Sequence, residues 1–267
     1  MYAFDYQRPG TTGEALAAFS GDANFLAGGQ SLVQAMKLRM ANVPLLIDLG
    51  GIPELRAISV TADAVAIGAM TRHAEVAHSA EVQAAIPALA GLAGGIADPM
   101  VRNMGTLGGS LANADPAACY PAAALGLGAT IRTDRRSIPA DDFFVGLYQT
   151  LLEPGELIVS VSFPRVERAG YVKFKHPASR FAVVGAFVSK GRGGIRVAIN
   201  GAKACVFRAT EIERALAKDF TPQAAASVEL GSEDMFSDMF AGAEYRAALV
   251  SVMASRAVEQ ALPQDRP

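Results

Sequence analysis

The chain has 267 residues, 51% of them hydrophobic and 19% charged, with a formal net charge of −2. That length buries a substantial core, split over two or three subdomains, and a near-neutral charge without a basic cluster leaves nucleic acid and anionic membranes unsupported as partners. The high apolar content fits either surface buried against partner subunits or an alanine-rich composition that creates no patches.

In chain order, residues 12–19 carry helical spacing, with Leu16 and Phe19 on one face, Thr11 or Thr12 as cap and Glu14 in the first turn. Residues 24–27 read as a strand leading into Gly28 and Gly29, residues 32–39 as a helix, and residues 45–49 as a buried strand. Residues 58–60 and 64–67 alternate around Thr61-Ala62-Asp63 and predict a hairpin. A helix begins over 71–76, and a second covers 83–94 with an interruption near Pro87. Past a second glycine pair, 121–127 predicts a helix and 129–133 a strand. Residues 143–146 and 157–163 complete a second α/β unit, with a turn over 153–156. A boundary falls near residues 167–170. Strands over 171–175, 182–190 and 195–201 follow, with a turn at 191–194, then helices over 210–217, 222–229 and 245–262. Strands followed by helices suit a separate α+β domain. The resulting division is 1–54, 55–168 and 169–267, and the tail after Pro263 is expected to lack order.

Cys119 and Cys205 are the only cysteines, too few for an iron–sulfur cluster or a structural zinc. Low cysteine usage, no basic-then-apolar leader and no apolar run of membrane length predict a cytoplasmic protein. His73 and His78 read as surface or capping residues rather than ligands.

Two segments carry candidate chemistry: Ala27-Gly28-Gly29-Gln30-Ser31-Leu32 and Thr106-Leu107-Gly108-Gly109-Ser110. Glycine permits positive φ and lets a ligand approach the amides, and successive amides form an anion-binding concavity. One such loop holds one phosphate, and two converging loops hold a pyrophosphate. Either segment alone is more often an ordinary turn. The Gly-x-Gly-x-x-Gly fingerprint and the Gly-x4-Gly-Lys-Ser/Thr loop are absent.

Taken together, the segments resemble the pyrophosphate loops of the FAD-binding medium subunit of molybdenum hydroxylases. That family includes the flavoprotein chains of carbon monoxide dehydrogenase, nicotinate dehydrogenase and quinoline oxidoreductase, and the central domain of xanthine dehydrogenase. Its patterns, Ala-Gly-Gly-(His/Gln/Thr)-Ser/Thr-Leu and Thr-(Ile/Leu)-Gly-Gly-(Asn/Ser), are matched without gaps. Ile96-Ala97-Asp98-Pro99, Arg102-Asn103-Met104-Gly105, the stretch from Ile67 to Glu75 and Phe4-Asp5-Tyr6-Gln7-Arg8-Pro9 extend the likeness over nearly the whole chain.

The resemblance implies an α+β fold: two α/β FAD-binding subdomains of the PCMH type, then a C-terminal domain of a three-stranded sheet plus helices. It implies an oxidoreductase subunit carrying noncovalent FAD, with no substrate acid or base of its own. Leu26, Ala27, Gly28, Gly29, Gln30, Ser31 and Leu32 form the first cofactor loop, and Thr106, Leu107, Gly108, Gly109 and Ser110 the second. Ala97 lies in the lead-in, Leu107 and Ile158 are matched to flavin-contacting positions, and Lys175 to a lysine beside the flavin. Molybdopterin is expected on a large partner subunit and [2Fe-2S] clusters on a small one, assembled as a dimer of heterotrimers. Electrons would pass from molybdenum through the clusters to FAD and on to an external acceptor.

Two positions depart from the family pattern. Cys119 stands where an aspartate usually hydrogen-bonds the cofactor, with Asp115 nearby as a substitute. Ser179-Arg180-Phe181-Ala182 stands where many members have Asp-Tyr-Ala or Asp-Phe-Ala, so that Phe181 supplies the aromatic ring without a hydroxyl. Two alternatives stay open. One is an assembly module that has lost FAD, and the other an autonomous oxidase of the vanillyl-alcohol-oxidase type, which the short C-terminal domain disfavours.

Overall fold

The computed structural model describes residues 1–263, so the tail expectation lies outside the described residues. The N-terminal unit runs β1 (Asp5–Gln7), α1 (Thr12–Ala18), β2 (Asn24–Leu26), α2 (Leu32–Lys37), β3 (Leu45–Asp48). β3 lies between β1 and β2 and is parallel to both. Parallel neighbours require crossovers, and the two helices supply them. The Thr11 hydroxyl caps α1 by accepting the Glu14 N–H at 3.2 Å. β1 has no apolar periodicity to betray it, because all three of its residues are exposed.

The middle unit begins with the predicted hairpin, β4 (Ile58–Val60) and β5 (Ala64–Gly68). A helical run follows: α3 (His73–His78), α4 (Ala80–Ala85), α5 (Pro87–Gly94), α6 (Pro99–Arg102), α7 (Leu107–Asn113) and α8 (Cys119–Leu127). Pro87 divides the helix expected over 83–94. It lacks an N–H and pushes Ile86 out of the helical region, to φ −143° and ψ 77°. The chain then forms β6 (Thr130–Thr133), β7 (Ser137–Pro139), α9 (Ala140–Phe143), β8 (Phe144–Gly146), β9 (Gln149–Thr150) and β10 (Ile158–Pro164). An antiparallel sheet of order β4-β5-β10-β6-β7 results, and α7 and α8 pack on it.

The last unit comprises β11 (Arg168–Lys175), β12 (Ala182–Gly191), β13 (Gly194–Asn200), β14 (Phe207–Arg208), α10 (Thr210–Lys218), α11 (Pro222–Ala226) and α12 (Ala243–Ala261). Its three expected strands gain a two-residue edge strand, β14, giving a four-stranded antiparallel sheet. Eight consecutive residues of β12 are buried, since α8 covers one face and α12 the other. Ser189 Oγ donates to the Gly126 carbonyl at 2.6 Å and Arg196 Nε to the Leu125 carbonyl at 2.8 Å. These bonds clamp α8 between the second and third sheets. Among the described residues, no helix is long and apolar enough to cross a membrane.

Candidate functional site

The two glycine segments meet. A Cβ on Gly28 would overlap the Met104 carbonyl oxygen and lie 2.7 Å from the Gly105 Cα, so the first segment lies directly on the backbone leading into the second. A Cβ on Gly109 would lie 3.3 Å from the Ala27 Cβ. Gly28 is therefore required by loop-to-loop docking as well as by any ligand. Positive φ belongs to Gly29 alone in this pair, at +68°.

The first segment presents free donors. The N–H groups of Gly28, Gly29, Gln30, Ser31 and Leu32 reach no acceptor among the described residues, although these residues are only partly exposed or, for Ser31, exposed. Gln30 Nε2 closes the turn by donating to the Gly28 carbonyl at 3.0 Å. Ser31 precedes α2 but makes no side-chain cap, so its hydroxyl is also available. Unpaired backbone donors clustered at one place are the signature of an anion cradle.

The second segment is built differently. It forms the first turn of α7, with Thr106 Oγ1 accepting the Gly109 N–H at 3.2 Å. Leu107 N–H goes to the Thr71 carbonyl, Gly108 N–H to Ala69 and Ser110 N–H to Thr106. The Gly108, Gly109 and Ser110 amides, expected to face pyrophosphate, thus donate to acceptors within the fold. The Ser110 side chain and the small surface of Gly109 remain for a ligand. Leu107 is 0% exposed and Ile158 4% exposed, both in the core of the middle unit. Neither side chain presents more than a sliver of surface to a neighbouring cofactor.

A polar chain continues from this cleft. Ala97, at φ 41°, has its carbonyl bonded by Arg102 at 3.1 Å and by Arg180 at 3.3 Å. Lys173 Nζ donates to the Arg180 carbonyl at 3.0 Å and to Cys119 Sγ at 3.3 Å. Lys175 lies past a bulge between Phe174 and Lys175 and is exposed. The extra residue of that bulge is Val183, on the β12 side. Lys175 points away, exposed, and Lys173 is the lysine that reaches Cys119 and the Arg180 carbonyl. It touches both departures from the family pattern: Cys119 and Arg180 stand where aspartates are usual, and the ammonium meets a thiol and a carbonyl instead of carboxylates. Asp115 does not stand in for the lost aspartate in this network. Its carboxylate accepts the Ala117 N–H at 2.8 Å and the Tyr148 hydroxyl at 3.4 Å, and burial raises its pKa.

His73 overturns its surface reading. It is 5% exposed, lies 5.3 Å from the Tyr120 ring and leaves Nδ1 unpaired. Burial, with the Arg102 cation adding to it, lowers its pKa to about 4. Its backbone N–H donates to the Gly105 carbonyl at 2.9 Å, and its imidazole packs against Gly105, where an added Cβ would come within 2.5 Å of Nε2. With Arg72 beside it and Glu75 two residues on, the local sequence gives no hint of its burial.

Residues 2–166 match the model of the FAD binding domain in molybdopterin dehydrogenase. The carbon monoxide dehydrogenase medium chain of Hydrogenophaga pseudoflava is 38% identical, over 97% of this chain and 96% of that one. The nicotine 6-hydroxylase medium subunit of Paenarthrobacter nicotinovorans is 34% identical, over 97% of both. Among solved structures, quinoline 2-oxidoreductase from Pseudomonas putida 86 superposes with a TM-score of 0.89 at 30% identity, over 97% of each chain. The cradle of free amides, the two docked glycine segments and these likenesses lead to one conclusion: the chain belongs to the FAD-binding medium subunits of the molybdenum hydroxylase family, an oxidoreductase family.

Proposed function

We propose that this chain takes electrons from [2Fe-2S] clusters on a small partner subunit and passes them to an external acceptor, in a complex whose large subunit carries molybdopterin. FAD supplies the conversion between one-electron delivery and one- or two-electron discharge. The chain's own residues hold it. The free amides from Gly28 to Leu32 and the Ser31 hydroxyl receive the pyrophosphate. Ser110 and the surface of Gly109 line the opposite wall, with Leu26, Ala27 and Ala97 at the margins. Lys173 places its positive charge beside the flavin, where it favours an anionic reduced ring. Phe181 supplies the aromatic neighbour.

The observation that carries this reading is the meeting of Gly28 with Met104 and Gly105, which joins a donor-rich turn to a second, distant segment. Two cysteines cannot ligate an iron–sulfur cluster, so the electrons must arrive from another chain. We further propose a dimer of heterotrimers and noncovalent attachment of the cofactor.

The test is purification of the chain alone and after co-expression with a large molybdopterin subunit and a small [2Fe-2S] subunit of this family. The chain alone should be yellow, release FAD to the supernatant on acid precipitation and turn over no aldehyde or N-heterocycle. The co-expressed complex should contain molybdenum and iron and oxidise substrate. Colour that stays in the acid pellet would refute noncovalent binding, and turnover by the isolated chain would refute the subunit role.

A further inference from the structure

A second concavity lies against the turn between β11 and β12. Its wall joins that turn to residues 115–117, the β8–β9 turn, Gly201, the segment preceding α12 and Arg246 of α12. It encloses about 260 Å3, near the lower end of the roughly 300–1,000 Å3 range of small-molecule pockets. None of the glycine-segment residues lines it. Leu147, Tyr148, Phe181, Phe236 and Phe240 do. Tyr148, Phe181 and Phe240 are 57%, 48% and 59% exposed. Scattered exposed rings need no explanation, but rings from distant segments turned to one hollow do. Phe240 is also ordered there, edge-on to His176 with ring centroids 4.3 Å apart.

The polar groups narrow the chemistry. His176 Nδ1 accepts the Ala178 and Ser179 N–H groups at 3.3 and 3.2 Å, which leaves the proton of the neutral ring on Nε2 as a donor. The Ser179 hydroxyl is a further donor, whereas the Tyr148 hydroxyl is committed to Asp115 at 3.4 Å. The one guanidinium among the lining residues, Arg246, is 4% exposed: its terminal nitrogens donate to the Val183 and Gly201 carbonyls at 2.6 and 2.8 Å and to Asp238 at 2.6 Å, and its Nε is buried without a partner. The lining therefore offers aromatic walls, donors from His176 and Ser179 and two carboxyl groups, with no exposed guanidinium to receive a phosphate.

We propose that this cavity binds a compact, uncharged, planar ring bearing carbonyl oxygens, of the quinone class, as the external electron acceptor. Stacking surfaces suit the ring, donors suit its two carbonyl oxygens, and the carboxyl groups and small volume reject a dinucleotide. Reduction of such a ring to its hydroquinone takes two electrons, derived from the substrate oxidised by the complex, and two protons from solvent. That the occupant is an acceptor rests on the electron-transfer role proposed above. That it is a planar ring with carbonyl oxygens rests on the cavity alone.

The test is calorimetric titration of the purified, FAD-containing chain with duroquinone, whose fully substituted ring does not add thiols, and separately with NAD+. FAD content is read from visible absorbance before and after. Duroquinone should bind saturably at one site, leave FAD in place and bind about tenfold more weakly in Phe240→Ala, a change of one exposed side chain. Leu147→Ala, also at an exposed position, should weaken it as well, and NAD+ should give no saturable heat. Absence of duroquinone binding, unchanged affinity in both variants, displacement of FAD by duroquinone, or NAD+ binding at the same site would each overturn the proposal. A chain purified without FAD would instead count against the cofactor reading, and titration of that sample with duroquinone would still decide the cavity.

Discussion

The two glycine segments look alike in sequence and do different work. In the first, the amides from Gly28 to Leu32 are unpaired and Ser31 caps nothing. In the second, Thr71, Ala69 and Thr106 consume the corresponding amides, and the segment is the opening turn of a helix seated on the middle sheet. The first is a donor array, and the second is a buried frame that fixes where the array sits. A glycine pair beside a hydroxyl thus specifies close backbone approach. Whether the close neighbour is a ligand or the protein itself depends on what the amides already hold.

The largest expected effect breaks the contact between the segments. Gly28→Val drives a side chain into the Met104 carbonyl and the Gly105 backbone, which cannot retreat cheaply. It should cost on the order of 4 kcal/mol and remove FAD along with folded protein, read by denaturant unfolding and visible absorbance. Gly29→Val meets only side chains, Val33 at 2.9 Å and Leu26 at 3.5 Å, and strains one positive φ. It should cost about 1–3 kcal/mol, leaving the fold intact. Equal losses from the two variants would contradict the docking role of Gly28.

Next comes His73, beneath the frame. Its folded pKa of about 4 lies below the ordinary histidine value of 6.5. The unfolded chain therefore takes up a proton first as pH falls, so the stability present above pH 6.5 is lost progressively toward pH 4. The loss at pH 4 should be about 2–3 kcal/mol. In His73→Leu the denaturation midpoint should lose this slope between pH 6.5 and 4.5, and an unchanged slope would assign it to other groups. Glu156 titrates in a lower window. Hydrogen bonds from Arg136 hold its carboxyl near 2, against an ordinary 4.5, so its contribution persists above pH 4.5 and fades below.

The smaller effects separate frame from array. Thr106→Ala removes the cap on the Gly109 N–H and should cost about 1 kcal/mol of stability in thermal or denaturant unfolding. Ser31→Ala should change stability by less than about 0.5 kcal/mol, since its hydroxyl makes no cap. It should nonetheless weaken FAD binding about tenfold, the scale of one hydrogen bond to a charged group, measured by fluorescence titration of the FAD-depleted chain. The reverse pattern would exchange the roles of the two segments.

Much of this architecture was legible beforehand. The periodic segments at α1, the β4–β5 hairpin, β12, β13 and α12 form close to where their apolar spacing puts them. Short elements escaped, because β1, β7 and β14 have two or three residues and no period to detect. The glycine segments were legible as a pair, but the state of their amides was not, since Thr71 and Ala69 approach only in three dimensions. Lys173 was hidden by its neighbour Lys175: only the folded chain brings Lys173 to Cys119, and no residue in the strand announces it. His73 was misplaced because helical spacing on α3 does not reveal that Tyr120 and Gly105 cover it.

The central claim is that the first segment holds the FAD pyrophosphate through its amides while the second shapes the site. Amide hydrogen exchange with and without FAD tests it directly. Without FAD, the amides of residues 28–32 should exchange fast and those of 107–110 slowly, because only the latter are bonded within the fold. FAD should slow exchange strongly at 28–32 and little at 107–110. Exchange at 28–32 that is indifferent to FAD, with new protection confined to 107–110, would contradict the account.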